Sequence, residues 1–152
     1  MTDAPWHETV SLPALLRHAR TTYADAMRHA LDEAGYDDIP GNGLYVIGGL
    51  ALGDGGVPIG RLVRELGITK QGAGQLVDAL VLRGYLERTP SDTDRRQLIV
   101  TLTERGRGAA ATQTAAREAI DATLAGIVGA DDVARTRRTL ATLIDMRRAT
   151  RA

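Results

Sequence analysis

The chain has 152 residues, 43% hydrophobic and 25% charged, and its 19 basic and 19 acidic side chains cancel; this is one domain of ordinary size with enough apolar material for a core and no general basic coat. Cysteine is absent, which excludes disulfides, cysteine-ligated zinc and thiol redox sensing. No apolar run approaches the roughly 20 residues that span a bilayer, and the opening MTDAPWHETV lacks a basic-then-apolar signal pattern, so no membrane partner and a cytoplasmic location are expected.

In chain order, residues 12 to 34 predict a first long helix. Leu12, Leu15, Leu16, Ala19, Tyr23, Ala26, Met27, Ala30 and Ala34 fall within about a third of the helical wheel, and Gly35 ends the pattern. On one flank, His18, Thr22, Asp25 and His29 are types that ligate metals. Asp25 and His29 also form an ordinary i,i+4 pair, and a solvated flank is the preferred reading, so no metal is expected. A loop from Ile39 to Gly43 leads to an apolar helix, Leu44 to Leu52, followed by a sharp turn at Gly53 to Gly56. The glycines of GNGLYVIGG do not make a dinucleotide loop, because no strand precedes them and no acidic residue follows at the required distance.

From Pro58 to Gly106 the pattern changes. Ile59, Leu62, Val63 and Leu66 give a short amphipathic helix stopped by Gly67. Thr69 is placed to cap a second helix with a core face of Ala73, Leu76, Val77 and Leu80. Its outward residues are Lys70, Gln71, Gly74 and Gln75. Lysine donates to guanine edges or phosphate, glutamine pairs with adenine, and glycine admits close backbone approach. Two strand-like runs follow, Leu86 to Arg88 and Leu98 to Leu102, with Asp92, Asp94, Arg95 and Arg96 in the loop between them. An arginine held out on a hairpin suits a narrow minor groove, and an aspartate two residues earlier can orient its guanidinium. Residues 57 to 106 hold eight basic against six acidic residues, whereas residues 1 to 40 hold three arginines against seven acids. The layout predicts a winged helix-turn-helix.

Beyond it, Thr103 caps an alanine-rich helix from about Glu104 to Val128. Gly129 breaks it, and a last helix carries Val133, Leu140, Leu143 and Ile144. These stripes find no obvious partner in so small a reading head, so burial against a second copy is expected, as a two-fold homodimer. The arginines at 135, 137, 138, 147 and 148 read as a solvated face. The expected organisation is residues 1–43 as a dimerisation helix and loop, 44–106 as the winged helix-turn-helix and 107–152 as dimerisation helices, one compact domain overall. The fold class is mostly α with a small two- or three-stranded β wing.

The run DTDRRQLIVTLTERG, preceded by LVDALVLRGYLER, resembles the wing and recognition helix of the MarR (multiple antibiotic resistance regulator) family of winged helix-turn-helix transcription factors. Asp94, Arg95, Arg96, Val100, Leu102, Thr103 and Gly106 fall on its wing pattern in register. The resemblance implies a DNA-binding regulator, a repressor by family habit, that binds a near-palindromic operator as a homodimer. It assigns Arg96 to the minor groove, Asp94 to its support and Arg95 to the nearby backbone, and places Thr69, Lys70, Gln71, Gln75 and Arg88 among the residues that meet double-stranded DNA. Ser91 stands where the family often has Asp and Asp92 where it often has Pro, which predicts a looser wing tip. Gly72 and Gly74 replace hydroxyl or β-branched residues, at roughly 2 kcal/mol of helix propensity together. The resemblance further implies a small aromatic or phenolic effector, with His18, Tyr23, Met27 and Tyr45 as its expected lining; core packing is the competing reading of those side chains. No acid/base pair, nucleophile or cofactor loop is apparent, so neither enzyme activity nor a cofactor is expected. The alternative is a winged-helix protein-interaction module that does not bind DNA.

Overall fold

Proline near the start and glycine past the end frame the first long helix, and the same punctuation recurs along the chain. In the computed structural model, which describes residues 4–53 and 56–150 with backbone alone at Ile59, Leu62, Glu65 and Leu66, the order is α1 (Trp6–Thr9), α2 (Leu12–Glu33), α3 (Gly43–Leu52), β1 (Val57–Pro58), α4 (Ile59–Leu66), α5 (Lys70–Leu82), β2 (Leu86–Pro90), β3 (Leu98–Leu102), α6 (Glu104–Val128) and α7 (Ala130–Ala149). The predicted Gly53 to Gly56 turn falls partly on Asp54 and Gly55, outside the described residues, as do three of the four side chains on the predicted apolar face of α4. Among the described residues no helix is long and apolar enough to cross a membrane.

Two compact units are present, Met1–Ala116 and Arg117–Ala152. The core of the first is built around α3, whose Leu44, Val46, Ile47 and Leu50 are all buried. They meet Leu31 of α2, Val77 and Leu80 of α5, Leu86 and Val100 of the sheet, and Ala109 and Ala110 of α6. Small residues on α6 let that helix approach closely. Gln113 is the polar exception there: its Nε2 donates to the Leu44 carbonyl at 2.9 Å, which fixes α6 against α3. On α2 only Leu31 is fully buried, and Leu12 at the far end of the same stripe is 55% exposed.

The sheet has the order β1-β3-β2 and is antiparallel throughout. β3 pairs Val100 with Val57 on one side and with Arg88 on the other. Val100 is buried while Leu98, two residues earlier on the same face, is 47% exposed: the ribbon leaves the core and projects as a wing. β1, only two residues long, has no alternation of its own to mark it.

In the second unit, the end of α6 and α7 are joined at Gly129. Arg137 lies 3.5 Å from Asp121 across them. No residue of α7 is buried, and Ile127, Ile144 and Met146 are all more than half exposed.

Candidate nucleic-acid interface

The tight turn between α4 and α5 is set by Gly67, which adopts φ +64° and donates its N–H to the Val63 carbonyl at 3.1 Å. A left-handed residue ends the first helix and redirects the chain. Two residues on, the Thr69 hydroxyl accepts the Gly72 N–H at 3.0 Å, satisfying one of the orphan donors of the new helix. Ala73, Val77 and Leu80 then anchor α5 in the core with Leu76 against it. Lys70, Gln71 and Gln75 are left exposed on the other face. A Cβ at Gly74 would meet nothing within 4 Å, so this face is flat between its polar side chains.

The wing tip is hydrogen-bonded rather than loose. Ser91 is buried, and its hydroxyl accepts the N–H groups of Thr93 and Asp94 at 3.3 and 3.4 Å and contacts the Thr93 hydroxyl at 3.0 Å. Serine thereby supplies the turn-forming oxygen that an aspartate would. The Ser91 N–H reaches the Gln97 carbonyl at 2.8 Å and closes the loop. Asp94 supports Arg96 differently from the sequence expectation: its Oδ1 accepts the backbone N–H of Arg96 at 3.0 Å, not the guanidinium. The side chains of Arg95 and Arg96 project into solvent.

Arg88, expected among the DNA-contacting residues, is paired within the head. Its Nη2 donates to Asp78 Oδ1 of α5, and the side chain is 28% exposed against 67% for Asp78. The bond ties β2 of the wing to α5.

At the root of the wing lies a cluster that sequence reasoning missed. Tyr85 is fully buried as a residue, and its hydroxyl donates to Asp38 Oδ1 of the α2–α3 loop while accepting from Arg105 Nη2 of α6 at 2.9 Å. Arg105 also reaches Asp38 at 3.2 Å, and its guanidinium lies 4.6 Å from the Tyr85 ring centroid and 5.6 Å from that of Tyr36. The Tyr85 hydrogen bond, with Arg105 behind it, holds the Asp38 carboxyl below its usual range against the effect of burial. Burial first, then Asp38, pushes the Tyr85 hydroxyl up to about 12. Gly106 lets this junction close: a Cβ there would sit 2.1 Å from the Tyr85 carbonyl oxygen.

Of the expected effector residues, Tyr23, Met27 and Tyr45 are half-buried and His18 is exposed. Arg20, not foreseen, donates to the Tyr45 hydroxyl and lies 4.7 Å from its ring centroid. His29 pairs with Glu33 at 3.4 Å, one turn beyond it rather than with Asp25, and among the described residues no group of three metal-ligating side chains comes together.

A Thr-capped helix with a polar outer face, beside a hairpin carrying projecting arginines, defines a winged helix-turn-helix. The sequence model of the MarR family matches residues 37–97. A Bacillus subtilis (strain 168) protein, named as an uncharacterized HTH-type transcriptional regulator, YwhA, is 31% identical over 96 residues, which are 63% of this chain and 68% of that one. Among solved structures, Streptococcus pneumoniae FabT in complex with DNA is similar at TM-score 0.77 and 19% identity, covering 91% of this chain and 96% of that one. The apo form of E. coli MarR is similar at TM-score 0.66 and 20% identity, over 88% and 96%, and S. aureus MepR in its DNA complex at 0.73 and 16%, over 90% and 98%. The chain belongs to the MarR family of transcription regulators.

Proposed function

We propose that this chain regulates transcription by binding a near-palindromic operator as a homodimer, each α5 in a major groove and each wing in the flanking minor groove, and that it represses by occupying promoter DNA. The observation that carries the reading is the pair of exposed polar surfaces on α5 and at the wing tip. There Lys70, Gln71 and Gln75 stand clear of the core and Arg95 and Arg96 project from a hydrogen-bonded turn. Lysine and glutamine supply base-edge and phosphate contacts, Thr69 lies at the capped N-terminus where phosphate is favoured, and Arg96 suits the deep negative potential of a narrow minor groove. FabT and MepR, which share the fold, were solved with DNA.

The exposed apolar residues of the C-terminal unit, Ile127, Ile144 and Met146, favour burial against a second copy, with residues 1–43 and 107–152 as the dimerising segments around a reading head at 44–106. A two-fold dimer matches a palindrome. A small aromatic or phenolic effector held near Tyr23, Met27 and Tyr45, with His18 at the rim, would release DNA if it bound better to the dimer with misplaced heads. No catalytic step or cofactor enters this reading, and its setting is the cytoplasm.

The test is binding of the purified protein to its own upstream intergenic DNA at two salt concentrations, with a scrambled duplex as control. Specific binding at two chains per site, weakening steeply with salt, is expected, and Arg96→Ala should cost about 1–3 kcal/mol of it. Wild-type operator affinity in that variant, together with loss of a protein contact, would establish the interaction-module reading instead.

A further inference from the structure

We propose that Arg88 and Asp78 form a positioning pair that sets the angle of the wing against the recognition helix, and that Arg88 does not itself touch DNA. The inference rests on the DNA-binding reading above and names a further residue pair for it.

Asp78 lies three residues after Gln75 and four after Gly74, so it continues the stripe of Lys70, Gln71, Gly74 and Gln75 along the exposed face of α5. A carboxylate there, left alone, would repel the phosphate backbone. Arg88 neutralises it through the Nη2–Oδ1 hydrogen bond. Its place in β2 is what makes the bond structural. Leu86 is the last residue of that strand in the core, and Glu87 already faces solvent. Arg88, paired across the sheet with buried Val100, is therefore the point at which the wing leaves the core, and its guanidinium crosses from the wing to α5 there. A hinge at this place would swing Arg95 and Arg96 relative to Lys70 and Gln75 without unfolding either element.

A phosphate contact and a positioning pair differ in their salt dependence. Each phosphate contact adds about 0.9 to the slope of log affinity against log salt, so a dimer losing two contacts would lose about 1.8. The experiment compares wild type, Asp78→Asn/Arg88→Gln and the reversed pair Asp78→Arg/Arg88→Asp. Each is measured for operator affinity at several salt concentrations and for its hydroxyl-radical footprint, after thermal melts show all three folded. The neutral pair, which keeps net charge, should bind about tenfold more weakly at an unchanged slope and lose the wing's minor-groove protection while keeping the central major-groove contacts. The reversed pair should restore both affinity and footprint. A slope reduced by nearly two in the neutral pair, with no recovery on reversal, would make Arg88 a phosphate contact and overturn the proposal. So would an unchanged footprint. Failure of the wild type to prefer operator over scrambled DNA would instead sink the DNA-binding reading, and the positioning role with it.

Discussion

Replacing Tyr85 by phenylalanine removes one oxygen from the junction of three elements and leaves the buried ring in place. The lost hydroxyl donates to the Asp38 carboxylate and accepts from Arg105 at 2.9 Å. Hydrogen bonds to charged partners contribute roughly 1.5–3 kcal/mol each. Here the side chains of Asp38 and Arg105 are each 42% exposed, so water replaces much of what is lost, and they remain 3.2 Å apart to pair with one another. The expected cost is therefore about 1.5 kcal/mol, measured by urea denaturation at neutral pH. In an Asp38→Asn background the same substitution should cost about 0.5 kcal/mol, because the charged acceptor is already gone. A cost below about 0.5 kcal/mol in the wild-type background, or the same cost in both backgrounds, would refute the cluster as a coupled unit.

The same cluster gives stability a pH signature at both ends. Asp38 is held below its ordinary 3.8, chiefly by the Tyr85 hydroxyl, so its stabilising contribution is present above about that pH and is lost as the pH falls below it. Tyr85 is pushed up from 10.0 to about 12. Its contribution is complete below pH 10 and disappears as the pH rises through 12. Tyr85→Phe should flatten the alkaline loss, and Asp38→Asn the acid one.

Three further substitutions test the reading head. Thr69→Ala removes the cap on Gly72 N–H and should cost about 1 kcal/mol in chemical denaturation. Gly74→Ala adds a methyl group where nothing lies within 4 Å, and should raise stability by up to about 1 kcal/mol through helix propensity alone; a loss in the melt would mean that the site is not open. Gly106→Ala places a Cβ 2.1 Å from the Tyr85 carbonyl oxygen, a backbone atom that gives way only at a cost, and should destabilise by about 3 kcal/mol, the upper end for overpacking.

What was legible in the sequence was local. The Thr69 cap and the spacing of Ala73, Leu76, Val77 and Leu80 placed α5 and its buried face, because a helix announces itself within two turns. The wing was visible from its alternation and turn residues, although β1 was too short to carry a pattern. Roles that depend on distant partners were hidden. Arg88 looked like one more basic residue on a strand until Asp78, ten positions earlier, was found beside it. Asp38 and Tyr85 are 47 residues apart, and Tyr85 and Arg105 are 20; no spacing rule joins them. Ser91 was legible as a departure from family habit, but the structure alone shows its hydroxyl replacing the expected carboxylate.

The charge distribution sharpens what these ties are for. The reading head carries only two more basic than acidic residues between 57 and 106, and the chain as a whole carries none. Under the proposed function, non-specific attraction to DNA is then weak, since that attraction scales with the phosphates neutralised. The flat stretch at Gly72 and Gly74 removes two side chains from direct readout as well. Affinity must come from simultaneous placement of Lys70, Gln71, Gln75 and the wing arginines in two heads, so small angular errors cancel much of it. On the proposed reading, Asp78–Arg88 within the head, and the Asp38–Tyr85–Arg105 cluster that ties the α2–α3 loop and the base of the wing to α6, hold those angles in the free protein. A regulator with a strongly basic surface tolerates loose joints; one with no net charge depends on stiff ones. Any signal that alters DNA binding here acts most economically on a joint, because shifting it by a fraction of a turn changes several contacts together.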